Sequence, residues 1–128
     1  MVWRTLAVLM VAACVAAACT PSEDLIQAAY FKSDERHRVL AYHSEESLTP
    51  GQARALLKNV AWTEGTLTAA YLYEDGDAIP REAISSASDY LAAMRITERP
   101  PYNVWYCRLV IAPTGGRTYD GHCIHYRP

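Results

Sequence analysis

The residue that most limits what this chain can fold into is Cys19, where an uncharged run ends and a polar one begins. Arg4 is the one charged side chain in residues 1–18, and Thr20-Pro-Ser-Glu-Asp24 turns polar at once. A basic start, an apolar run and small residues before a cut are typical of a secretory signal. We therefore predict a cleaved signal at residues 1–18, a short tether at 19–24 and a single globular domain at 25–128.

The apolar run has the features of a lipid-attachment signal. Leu6, the segment 8–11 and Ala16-Ala-Ala-Cys19 resemble the signal and lipobox of bacterial lipoproteins. The resemblance implies a diacylglycerol on the Cys19 thiol and a further acyl chain, such as palmitate, on its new amino group. Cys14 is an alternative, since residues 11–13 fit the lipobox better but leave a shorter apolar core. The resemblance to lipoproteins also implies a location in a bacterial envelope. Because Thr20 rather than Asp follows Cys19, the outer membrane facing the periplasm is expected, and the inner membrane is the alternative.

Two other interpretations of the N-terminus remain open. One is a plain secretory signal with incidental cysteines. The other is a retained transmembrane helix, but the uncharged run from Thr5 to Cys19 has fifteen residues, short of the roughly 17–25 needed to span a bilayer. Loss of Arg4 with the signal would change the net charge from −2 to −3. This mildly acidic balance gives no electrostatic footprint for nucleic acid.

Cys107 and Cys123 remain as a pair after processing, and an even pair in an oxidising compartment predicts a disulfide. Strand-like runs at 102–112 and 119–126 flank the turn signal 113–116, which predicts a hairpin. Folding it about Gly115 would pair Cys107 with Cys123 and Arg108 with His122. The alternative, a zinc site, is disfavoured because successive strand residues point to opposite faces; it would use Cys107, Cys123, His122 and His125. No metal or cofactor is predicted.

The remaining elements alternate between helices and strands. Apolar spacing over 25–30 predicts a first helix, and 39–43 a short strand. Thr49, Pro50 and Gln52 predict a capped second helix, 66–73 a strand, and Pro80 a third helix whose buried stripe is Ala83, Ala87, Leu91 and Met94. The predicted fold class is α+β: a small antiparallel-containing sheet with about three helices on one face, closed by a C-terminal disulfide-stapled β-hairpin.

Aromatic and charged side chains cluster on the predicted sheet. Tyrosine, tryptophan and arginine are enriched at binding surfaces, so we predict a binding surface, although the same aromatic residues could instead fill the core of a small sheet. The residues are Tyr71, Tyr73, Trp105, Tyr106, Arg108, Asp120, His122 and Tyr126. No catalytic residue is predicted, since no nucleophile signature accompanies His122.

These features predict a membrane-anchored periplasmic lipoprotein that acts as a small protein-binding module. Its expected partner is a protein of the envelope, because small lipoproteins include immunity proteins and inhibitors. One alternative is an accessory structural lipoprotein of an envelope secretion or conjugation assembly. The other is a small hydrolase in which Asp120 orients His122 as general base. The simpler interpretation of the same residues is that Arg108, Asp120 and His122 form a solvated polar patch.

Overall fold

A computed structural model describes residues 25–124, and these form an α+β fold with one five-stranded sheet and three α-helices. The signal, Cys19, His125 and Tyr126 lie outside the described residues. The elements in chain order are β1 (Ile26–Lys32), β2 (Arg38–His43), α1 (Pro50–Leu57), β3 (Thr68–Tyr73), a 3₁₀ turn (Gly76–Ala78), α2 (Arg81–Ser85), α3 (Tyr90–Glu98), β4 (Trp105–Ile111) and β5 (Arg117–Gly121).

The five strands lie side by side in chain order. The β2–β3 pair is parallel and the other three pairs are antiparallel. Parallel neighbours need a crossover, and α1 lies in the one that joins β2 to β3. The sheet is therefore mixed.

Helices cover both faces of the sheet, so the prediction of helices on one face was wrong. On the first face, α2 and α3 pack over β1 and β2, and Val39, Tyr71, Ile84 and Tyr90 form much of this core. On the second face, α1 packs over β3 and β4. That core includes Leu40, Leu57, Leu72, Cys107 and Leu109.

Each helical layer is too small to span five strands. The β4–β5 half of the first face and the β1–β2 half of the second face are therefore left largely without a helix above them. We call these two surfaces the β4–β5 open face and the β1–β2 open face. They lie on opposite sides and at opposite edges of the sheet.

The helix predicted over 25–30 is wrong, because this segment belongs to β1. A register shift between Gln27 and Ala29 interrupts the alternation of the strand. Ala29 and Phe31 then point into the first core while Tyr30 stays 39% exposed. Such an interruption of the period of two imitates helical spacing.

The helix predicted after Thr49 is confirmed. The Thr49 hydroxyl accepts from the Gln52 amide at 3.2 Å, and Gln52 Oε1 accepts from the Thr49 amide at 3.0 Å. This reciprocal capping satisfies two backbone donors at the helix start. The strands predicted at 39–43 and 66–73 are also present, as β2 and β3.

The single helix predicted from Pro80 is instead two helices. Asp89 starts α3 by accepting from the Ala92 amide at 2.8 Å, a local competitor for helix continuation. The predicted stripe is accordingly wrong at Leu91, which is 59% exposed, whereas Tyr90 and Ala93 are buried.

None of the helices within residues 25–124 is long and apolar enough to cross a bilayer.

Candidate functional site

The register of β4 against β5 decides which side chains meet on the β4–β5 open face. Arg108 pairs with Asp120 rather than with His122, so the predicted register is wrong by two residues. A shift of two leaves every side chain on its expected face, because the strand period is two. Arg108 and Asp120 thus share a face as expected.

The disulfide between Cys107 and Cys123 is present, although its predicted position opposite one another in the strands is wrong. Cys107 pairs with Gly121, and Cys123 lies in the turn after β5. The two Cα atoms are 5.6 Å apart. Both sulfurs are bonded to each other, which overturns the alternative of a zinc site built on them.

Gly121 lets the chain turn toward Cys107. Its φ is +77°, in the region that favours glycine, and a Cβ there would lie 2.6 Å from the Tyr106 carbonyl oxygen. Any larger residue would therefore have to displace backbone. Gly121 sets the end of β5 and the position of Cys123.

Arg108 is the centre of the β4–β5 open face. Its Nε donates to Asp120 Oδ2 at 2.8 Å, and its Nη2 lies 2.7 Å from the same oxygen. Its Nη1 donates to Glu98 Oε1 at 2.8 Å from the end of α3. With the side chain 20% exposed, two carboxylates hold the guanidinium in one orientation.

Two aromatic rings lie beside this guanidinium. The Arg108 Cζ atom is 5.1 Å from the Trp105 ring centroid and 5.9 Å from that of Tyr71. The rings of Tyr71 and Trp105 meet edge to face with centroids 5.8 Å apart. Cation–π attraction and the ion pairs therefore act on the same group.

The charge states follow from this packing. Burial lowers the pKa of Arg108, but the Asp120 hydrogen bond and the contacts with Tyr71 raise it more, so the group stays cationic. Burial raises the pKa of Tyr71 despite the opposing effect of Thr97 and Arg108. Neither of those two neighbours makes a hydrogen bond of good geometry with the Tyr71 hydroxyl, and the Trp105 indole N–H is likewise unpartnered among the described residues.

Two tyrosines of the predicted surface are in the core instead. Tyr71 is 0% and Tyr73 1% exposed, so neither can touch a partner. The Tyr73 hydroxyl donates to the Tyr102 carbonyl at 2.9 Å, which ties the loop before β4 to the sheet. For these two residues the core-filling alternative was correct.

Tyr106 and His122 lie away from the Arg108 cluster. Their rings stack with centroids 4.5 Å apart. Tyr106 also lines a cleft of about 150 Å³ with Leu72, Tyr73, Glu74 and residues 44–48. Burial and the Glu74 charge raise the pKa of Tyr106.

The predicted acid–base pair is not assembled. Asp120 accepts from Arg108, while the His122 ring stacks on Tyr106, and the described residues include no hydrogen bond between Asp120 and His122. The same part of the chain contains no group of three or more His, Cys, Asp or Glu side chains able to hold a metal ion.

The predicted binding surface did not include Glu98 or the exposed Tyr102 and Val104. Glu98 ends α3 and reaches Arg108 only because the helix packs against the sheet. Tyr102 is 39% and Val104 57% exposed just before β4. A local signal existed for these two alone, since they flank the aromatic run that begins β4.

Six of the seven described residues of the predicted surface form two groups, and the seventh, Tyr73, lies in the core. Tyr71, Trp105, Arg108 and Asp120 form one cluster, of which Tyr71 is buried. Tyr106 and His122 form the other.

Comparisons of the chain with protein-family models, with curated proteins and with solved structures gave no match.

Proposed function

We propose that this protein is a lipid-anchored envelope protein that binds a protein partner through the β4–β5 open face. The proposal depends mainly on the position of Arg108. Glu98 and Asp120 hold its guanidinium beside the Trp105 ring. This cluster lies on the half of the first face that the helices leave largely uncovered.

The chemistry of this face favours a protein partner. Tryptophan and arginine supply a large share of the binding energy at protein interfaces. Because Arg108 is already fixed by two ion pairs, less side-chain entropy is lost when a partner binds. The carboxylates of Glu98 and Asp120 already accept hydrogen bonds from the guanidinium of Arg108, which disfavours capture of a free anion.

The charges of the face indicate the partner's chemistry. Arg108 brings one positive charge, and Glu98 and Asp120 bring two negative ones, so the cluster is net negative. Glu98 remains 44% exposed. We expect a partner that presents an apolar patch next to basic side chains, since complementary charges favour the correct orientation.

The anchor is Cys19, and it would keep the domain at the membrane where the partner resides. Two or three acyl chains are needed for stable attachment, since one chain holds only marginally. Six positions separate Cys19 from Leu25. We therefore expect Cys19→Ala to release the protein from membranes without changing its fold, as measured by membrane flotation and circular dichroism.

Partner binding is tested by a pair of threonines. Thr118 is exposed and pairs with Val110 on the β4–β5 open face, whereas Thr114 is exposed in the turn between the strands. A photo-crosslinking residue at position 118, in the membrane of the native host, is expected to give one discrete protein adduct. The same residue at position 114 is the matched control.

The companion variant measures affinity. Thr118→Arg places a long cation on the face, and we expect about a tenfold loss of partner capture, which corresponds to roughly 1.4 kcal/mol. Thr114→Arg should leave capture unchanged. Equal adducts at both positions, or unchanged capture by Thr118→Arg, would refute this face as the binding surface.

The identity of the adduct separates the two roles considered. A partner that inhibits growth when this protein is absent indicates an immunity or inhibitor role. A partner that is a subunit of a large envelope complex indicates an accessory structural role.

A further inference from the structure

The β1–β2 open face has a different chemistry from the β4–β5 open face. A groove of about 290 Å³ lies between its strands and α1, lined by Leu25, Tyr42, Leu56, Asn59, Val60 and Ala61. Tyr30 pairs with Leu40 beside it and is 39% exposed. Burial raises the pKa of Tyr42 despite the nearby Arg38, so its phenol stays neutral.

Two basic residues of β1 and β2, Lys32 and Arg38, lie on the same side of the sheet as the groove. Phe31 and Val39 point into the first core, so by alternation Lys32 and Arg38 point to the second face. Lys32 is exposed, and Arg38 donates to the Ala61 carbonyl at the wall of the groove. No carboxylate occupies a second-face position in β1 or β2, where Gln27, Tyr30, Lys32, Arg38, Leu40 and Tyr42 stand.

The position of Leu25 identifies what can reach this groove. Leu25 lines it and is also the first described residue, with Cys19 six positions earlier. An extended chain spans at most about 3.3–3.6 Å per residue, so an acylated Cys19 would lie within about 20 Å of the groove. A bilayer holding that cysteine is then the nearest large apolar phase.

We propose that the β1–β2 open face rests on the lipid bilayer, with Tyr30 and the groove at the interface and Lys32 toward anionic headgroups. Tyrosine prefers the membrane interface, where its ring is in an apolar region and its hydroxyl in water. Lysine can reach outward to the headgroups along its aliphatic stem. This inference rests on the anchor at Cys19 proposed above.

The consequence is an orientation for the whole domain. The two open faces lie on opposite sides of the sheet, so contact of the β1–β2 open face with lipid leaves the β4–β5 open face directed away from the membrane and accessible to a partner.

The test uses the acylated full chain in vesicles of phosphatidylethanolamine and phosphatidylglycerol whose acyl chains are brominated. Tyr30→Trp adds a fluorophore on the proposed contact face, and Tyr102→Trp is the matched control because both tyrosines are 39% exposed. Interfacial surfaces enter roughly 5–10 Å into the headgroup and acyl boundary, and we expect about a twofold quenching of the fluorescence added at position 30. Fluorescence added at position 102 should be unchanged.

A second measurement needs no substitution at either tyrosine. Hydroxyl radicals produced in water should oxidise Tyr30 and Tyr102 equally in the unanchored Cys19→Ala protein in buffer, but Tyr30 severalfold less than Tyr102 in the acylated protein in vesicles. Lys32→Gln should reduce the quenching at position 30 in anionic vesicles and not in phosphatidylcholine vesicles, while Arg117→Gln, which changes an exposed cation of β5, should have no effect.

The outcomes separate this inference from the anchor. Vesicle flotation reports attachment through Cys19 independently of quenching. Protein that floats but shows equal quenching or equal oxidation at both positions refutes the bilayer contact and leaves the anchor intact. Protection of Tyr30 without quenching indicates a second copy or another protein on the groove and also refutes it. Protein that does not float refutes the anchor at Cys19 and, with it, the bilayer contact.

Discussion

The two open faces of this sheet differ in how their side chains are held. On the β4–β5 open face, Arg108 is fixed by Asp120, Glu98 and the Trp105 ring. On the β1–β2 open face, Tyr30 is 39% exposed beside an apolar groove. One sheet thus carries a surface whose central cation is held by ion pairs and another on which an exposed tyrosine borders an apolar groove.

The difference arises from the helical layers as well as from the strand residues. The helix α3 contributes Glu98 to the β4–β5 open face, and α1 contributes the wall of the groove on the other side. The helices α2 and α3 together cover half of the first face, and α1 covers half of the second. Of these helices, α3 and α1 also supply residues to the rim of an open face, so this small domain exposes two chemically distinct surfaces beside two closed cores.

The largest expected effect concerns the bond that holds the β4–β5 half together. Cys107→Ala with Cys123→Ala should lower the free energy of unfolding by about 3 kcal/mol, because the loop of the unfolded chain is no longer closed. Urea unfolding measures this. Hydrogen exchange should increase more in β5 than in β1, since β5 lies inside the loop between the two cysteines and β1 lies outside it.

The control for this prediction is the reductant. Reduction should destabilise the native chain and leave the double variant unchanged. Equal increases of exchange in β1 and β5 would contradict the local role of the disulfide.

The second effect is a loss of stability at alkaline pH that depends on which tyrosines are buried. Burial, with the charges of Tyr71 and Glu98, raises the pKa of Tyr90 from 10.0 to about 12, and burial also raises that of Tyr73. The folded state holds these protons more tightly, so its stability is intact below pH 10 and falls as the pH rises through 12. The expected slope is about 1.4 kcal/mol per pH unit for each such group.

Reversible unfolding at several alkaline pH values measures this loss. Tyr90→Phe should remove about one group's share of it. A slope that Tyr90→Phe leaves unchanged would contradict a contribution of this buried phenol to the loss of stability.

The smallest effect separates the two ion pairs of Arg108. A double-mutant cycle of Arg108→Met with Asp120→Asn should give a coupling of about 1 kcal/mol, while the cycle with Glu98→Gln should give about half of that, within the range for exposed pairs. Asp120 is 29% and Glu98 44% exposed, so solvent screens the second pair more. Equal couplings, or none, would show that the face is not held as described.

Much of the secondary structure could be predicted because its causes are local. The capping box at Thr49 and the strand β2 depend on neighbours within a few residues. The prediction for residues 25–30 failed because the interruption of β1 is stabilised by pairing with β2. The break between α2 and α3 was not predicted for a different reason. Asp89 can be recognised as an N-cap only once the preceding helix is known to end at Ser85.

The candidate site could be predicted only in part. Arg108 and Asp120 share a face in either register, so the sequence pattern placed them together. Core filling by Tyr71 and Tyr73 was only one of two alternatives from the sequence, because the choice depends on α2 and α3 packing on the first face. Glu98 reaches Arg108 from another element, and no spacing in the chain predicts that contact.

The sequence by itself determined the strands β2 and β3, the helix cap and the pairing of Cys107 with Cys123, because each follows from residue chemistry and period. Tertiary structure alone decided which half of each face is covered, and therefore which aromatic residues are core and which remain open. The physical reason is that burial is a property of packed layers, so it depends on contacts between distant segments. The same disulfide is thus predictable as a pair, while the surfaces on either side of it are not.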